Sequence, residues 1–364
     1  MTDFRGPGFV DHHAHLLRYS AGAPSSWAVG KADAGGVAGY HRRLAAEGTS
    51  PMDDEPEPLR GGSELEDGLR HGLELAAGLG LVEVWEAGLS HPSIFEALSA
   101  WRDRAGRLPV RVRVLMASGV DDSQWPSRTG DPWLDVVGVK FYADGWLGPR
   151  TCAVCDCFLD RPGDHGILFQ DRSQLARRME PLAAQGWKLV THAIGDRAID
   201  ETISAFEMVF GGDRPDPAPR IEHVQILRPD LIERMAAGGI EACIQPSFAS
   251  SDVVEAAAAL GASRPLAYRW SALLHAGVTV VCGSDYPIED LSPLVGLRDL
   301  VRGPIDPLPA DVAFGLMTDA KAGTTVLSAD PAAVPNRDLG QIVVRGTEPS
   351  SEPNPRRGAD PART

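Results

Sequence analysis

The chain has 364 residues, 43% of them hydrophobic, enough for one α/β barrel with a large core. With 50 acidic against 35 basic residues the net charge is −15, which argues against a nucleic-acid or anionic-membrane partner. No run of about 18 apolar residues occurs, the MTDFRGPGFVDHHAH start carries no apolar signal core, and an odd five cysteines fit a reducing cytoplasm better than a disulfide framework.

The first strand is predicted at 8–13 (GFVDHH), followed by a loop insertion over 16–60 rich in Gly, Ala, Ser and Pro. A helix follows at 63–79, opened by Ser63-Glu64-Leu65-Glu66 as a capping box. Strands are then predicted at 81–85, 109–116, 136–142, 187–192, 220–223, 240–245 and 278–282. Helices are predicted at 92–104, 172–185, 196–210, 229–237 and 265–276, with a C-terminal helical region to follow. Eight strands separated by helical crossovers predict a parallel (β/α)8 TIM barrel over 1–346. The polar, Pro-rich 347–364 is expected to be a disordered tail.

On that map the polar outliers fall at one end of the strands. His13 and His15 end strand one and His192 ends strand five. Lys140 lies near the end of strand four, His223 ends strand six, and Asp285 follows strand eight. Barrel enzymes build their sites at this face. Each residue alone has an ordinary explanation: a hydrogen-bonded histidine, a snorkelling lysine, an aspartate in a turn. Six such accidents at one end of five strands are another matter. Imidazole with carboxylate suits zinc and its neighbours in the transition series. His13 and His15, two apart on an extended strand, face the same side. Only four of the 35 basic residues are lysines, and Lys140 in an apolar strand needs a partner or a chemical change.

These stretches resemble the amidohydrolase superfamily, and within it the YtcJ-like branch that includes N-substituted formamide deformylases. The matching segments are Pro7 through His15, Gly138 through Gly145, Thr191 through Ala198, Arg220 through Gln225, and Gly283 through Pro287; their order holds from residue 7 to about 330. The resemblance implies one or two divalent metal ions, zinc first. His13 and His15 would hold one ion, His192 and His223 the second, and a carboxylated Lys140 would bridge them. Asp285 would touch the first ion and carry the proton, so that Asp285, Lys140 and His223 form the catalytic set. A mononuclear site follows if Lys140 stays unmodified. The branch's small β-sandwich is expected to be reduced or absent, with only 338–345 resembling its C-terminal strands. The resemblance to the superfamily suggests a homodimer or larger assembly.

The function expected is hydrolysis of an amide or related C–N bond in a small molecule. Decarboxylation or C–C hydrolysis on the same site, and a non-catalytic metal-binding barrel, stand as alternatives. Asp144, Arg150, Thr151, Gln245, Tyr286, Trp146 and Trp27 are read as substrate contacts, and Glu86 as a residue that could face the site. Cys152, Cys155 and Cys157 could form a second zinc site with His165. Asp196 is expected to cap its helix, and His12 to point away from His13.

Overall fold

The computed structural model describes residues 3–22, 34–53, 60–261 and 266–352. Ten strands form one sheet in the order β10-β9-β1-β2-β3-β4-β5-β6-β7-β8. They are β1 (Phe4–Ala14), β2 (Leu81–Leu89), β3 (Arg111–Ala117), β4 (Leu134–Tyr142), β5 (Lys188–Ala193), β6 (Arg220–His223), β7 (Glu241–Ile244), β8 (Val280–Cys282), β9 (Thr318–Leu327) and β10 (Val344–Pro349). From β1 to β8 every neighbouring pair is parallel. Helices at Pro92–Ala105, Arg172–Ala184, Asp196–Phe210 and Pro229–Gly238 carry four of the crossovers. All nine residues of β2 and all seven of β3 are buried, as expected for strands covered on both faces.

The ring closes between β8 and β1. The segment after β8 runs along the end of β1, with Asp285 N donating to His13 O at 2.7 Å and His15 N to Tyr286 O at 2.8 Å. A Cβ on Gly283 would lie 2.4 Å from His13 Cβ, so glycine is what permits this approach. The observed architecture is the predicted barrel.

Several elements differ from expectation. The insertion contains helices Leu16–Ser20 and Ala34–Glu47. Helix Gly62–Gly78 starts ahead of Ser63 with Gly61 at its N-cap, so the Ser63 capping box does not form. Helices Pro246–Ser251 and Val253–Leu260 follow β7, and the next helix is the short Trp270–His275. After helices Pro293–Arg302 and Ala310–Leu316 the chain returns as β9, antiparallel to β1, and then β10, antiparallel to β9. Within 338–345, a 3-10 helix (Asn336–Gln341) precedes β10, which extends past 347 because its backbone pairs with β9. Residues 353–364 of the expected tail lie outside the described residues. Among the described residues no helix is long and apolar enough to cross a membrane.

Candidate metal centre

The C-terminal ends of the strands surround a cavity of about 210 Å³ lined by His13, His15, Lys140, His192, His223 and Asp285. Residues far apart in sequence thus meet at one rim, each delivered by a strand end or the residues just beyond it. His223 (φ 74°) and Asp285 (φ 60°) both adopt the left-handed backbone region. Strain of this kind costs about 1–3 kcal/mol per residue and gathers at functional sites.

His13 is clamped on both ring nitrogens. Its Nδ1 lies 2.7 Å from Glu222 Oε2 and its Nε2 lies 3.2 Å from Asp285 Oδ1. If Nδ1–H donates to Glu222, Nε2 holds a lone pair. A lone pair facing a carboxylate oxygen requires a cation between them, whether a proton or a metal. His15 Nε2 lies 3.4 Å from the same Asp285 oxygen. The ligand atoms of His13, His15 and Asp285 all fall within 4.8 Å of one another. Two imidazole nitrogens and one carboxylate oxygen are a donor set for a divalent ion. Burial pushes His15 down to about 3, so its ring is neutral and able to ligate. Burial alone would raise Asp285, but His13 and His15 hold it well below the usual carboxylate range.

A second trio, His13, Glu222 and Cys243, is equally compact. It suits a metal poorly. Arg220 Nε already donates to Glu222 Oε1 at 2.8 Å, and burial pushes the Cys243 thiol well up, keeping it protonated.

On the other side, the His192 ring stacks on Tyr142 at 3.8 Å and lies 4.4 Å from the His223 ring. Its Nε2 is 3.1 Å from Gly145 O, which leaves Nδ1 as the lone-pair nitrogen of a neutral ring. Lys140 is buried, and burial lowers its ammonium to about 8. Among the described residues no ion pair holds it.

The expected substrate contacts mostly lie elsewhere. Trp146 lines the cavity. Asp144 stands behind the wall, accepting from the amides of Ala153, Ile194 and Gly195. Arg150 is consumed by Asp160, Glu255 and the carbonyls of Leu147 and Gly148. The Thr151 hydroxyl meets His41 Nδ1 at 2.9 Å. Gln245 lies beneath His13, its Nε2 3.4 Å from Nδ1. Tyr286 packs on Tyr19 with ring centroids 5.4 Å apart. Trp27 lies outside the described residues. Glu86 accepts from the backbone of Leu17 and Arg18, holding the start of the insertion. His12 packs its ring against Trp85.

The cysteines do not converge. Cys152 is buried while Cys155 and Cys157 are exposed, and His165 bonds the Cys155 carbonyl. Asp196 lies inside its helix, after Gly195 at the N-cap, and accepts from Cys155 N. Sequence reasoning missed Glu222 and the cavity residues Gln225, Phe248, Asp252 and Ile288. Glu222 had a readable signal: Arg220 and Glu222 sit two apart in a buried strand, where unpaired charges are costly.

The sequence model of the amidohydrolase family matches residues 29–304. The chain belongs to the amidohydrolase family. YtcJ of Bacillus subtilis (strain 168), named as an amidohydrolase, is 29% identical over 274 residues, covering 66% of this chain and 51% of its own length. The N-substituted formamide deformylase of Arthrobacter pascens is 24% identical over 195 residues, covering 50% of this chain and 36% of its own. This family member therefore spans about half or less of those relatives. A metal-dependent hydrolase from Pyrococcus furiosus has a similar fold, with a TM-score of 0.71 at 21% identity over 91% of this chain and 88% of that one.

Proposed function

We propose that this amidohydrolase-family chain is a metal-dependent hydrolase that cleaves an amide or related C–N bond of a small molecule. The observation that carries the reading is the meeting of His13 and His15 Nε2 on Asp285 Oδ1 beside a buried Lys140. His13, His15 and Asp285 would hold one divalent ion, zinc first, and His192 and His223 a second. When bound, such an ion polarises a carbonyl and acidifies the water beside it.

The chain's own groups do the rest. Asp285 is ionised and placed to take the proton of the attacking water and pass it to the departing nitrogen. Lys140, its pKa lowered by burial to about 8, is free amine to about a tenth at pH 7, far more than an ordinary lysine. Addition of that amine to carbon dioxide, with loss of a proton, gives a carbamate anion where a buried cation stood. The carbamate would serve both ions. Tyr142, Trp146, Leu147, Phe248 and Ile288 give the outer cavity an apolar wall, which favours an apolar substituent on the substrate.

The purified protein is expected to bind zinc stoichiometrically and to turn over at least one member of a panel of N-substituted formamides, N-acyl amines, cyclic amides and carbamates. In ¹⁸O water the label should enter the acyl product. A protein that binds no divalent ion, or that releases carbon dioxide from carboxylate substrates without cleaving C–N bonds, would overturn the reading.

A further inference from the structure

Below the rim the barrel interior carries a buried charge stack. Arg220 and Glu222 are inward neighbours two apart on β6, with side chains only 1% and 0% exposed. Arg220 Nε donates to Glu222 Oε1 at 2.8 Å, its Nη2 donates to His12 O at 3.0 Å, and its guanidinium lies 4.8 Å from the Trp85 ring centre. The other Glu222 oxygen faces His13 Nδ1 at 2.7 Å. Gln245 Nε2, at 3.4 Å from the same nitrogen, is the weaker neighbour.

We infer that Glu222, anchored by Arg220, is a positioning residue that fixes the His13 tautomer and ring angle so that Nε2 points at Asp285. The inference rests on the metal-site reading above. A histidine that must present one nitrogen to a cation needs its other N–H tied to an acceptor, and a carboxylate is the strongest available. A free carboxylate beside a metal would itself become a ligand. Arg220 prevents this by occupying one oxygen and neutralising the charge. The stack thus turns the compact trio of His13, Glu222 and Cys243 from a rival cation site into a support.

The test is zinc affinity measured by chelator competition on the full chain, with the Co2+ absorption spectrum as a readout of ligand geometry. Glu222→Leu alone strands a buried guanidinium and can fail to fold, so the charge-balanced double variant Arg220→Met/Glu222→Leu is compared with wild type. It is expected to lose about 10–100-fold in zinc affinity and to shift the cobalt bands. Arg220→Met/Glu222→Gln restores an oxygen acceptor for the His13 N–H without an unpaired guanidinium and should recover most of that loss. If the folded double variant binds zinc within twofold of wild type with an unchanged cobalt spectrum, the positioning role is overturned. If wild type binds neither ion, the metal-site reading itself falls.

Discussion

Asp144 supports His192 from behind, its Oδ1 3.4 Å from His192 Nε2 while its two oxygens take the amides of Ala153, Ile194 and Gly195. The carboxylate ties the loop after β4 to the end of β5 and sets where the imidazole stands. Asp144→Ala leaves three buried donors without partners. The expected cost is about 2–5 kcal/mol of stability, with loss of metal binding, measured by urea denaturation and chelator competition. Full stability in the variant would contradict this role.

Asp285→Asn isolates chemistry from fold. Asparagine tolerates the left-handed conformation that Asp285 adopts, so the turn should survive. Turnover should fall by about 100-fold or more, with the melting temperature nearly unchanged. Activity close to wild type would exclude Asp285 as the proton carrier.

Gly283→Ala attacks the seam. The added methyl would meet His13 Cβ at 2.4 Å and His13 N at 2.5 Å, forcing the end of β1 outward. The expected loss is about 1–3 kcal/mol, together with weaker zinc binding, since His13 moves with the strand.

His41 gives a pH signature. Burial, aided by the nearby His192, lowers it to about 3, so the folded protein holds it neutral where the unfolded chain protonates it near 6.5. The unfolded state then binds more protons, and stability rises with pH. The contribution is present above about pH 6.5 and is lost as pH falls from there toward 3, by at most about 1.4 kcal/mol per unit. The difference in unfolding free energy between wild type and His41→Gln, measured from pH 7.5 to 5, should shrink on acidification. A pH-independent difference would show that His41 titrates normally.

The rim residues were legible because strand ends are legible: His192 closes an apolar run, His223 ends a short strand, and barrel logic gathers such ends. β6 was bounded correctly at Arg220–His223. β9 was not read at all, because TDAKAGTTVL lacks alternation and takes its form from pairing with β1. Arg150 shows the limit for polar residues in loops. Sequence proximity to the site suggested a substrate contact, but all three of its guanidinium nitrogens are engaged by the loop's own carbonyls and by carboxylates at Asp160 and Glu255. Phe248 and Asp252 were missed because the helices after β7, not β7 itself, carry them to the cavity.

One edge of β1 is divided between two partners. Its lower half is zipped to β9 from Phe4 to Phe9, and its upper end meets only the short stretch around Gly283–Tyr286. The barrel is therefore buttoned at the top by a few backbone hydrogen bonds, and those buttons lie beside His13, His15 and Asp285. Loosening this clasp would part the three side chains in a single motion. The amides of His15 and Asp285 should exchange with deuterium faster than those of central β4, and a bound ion should slow both, acting as the rivet that the clasp lacks.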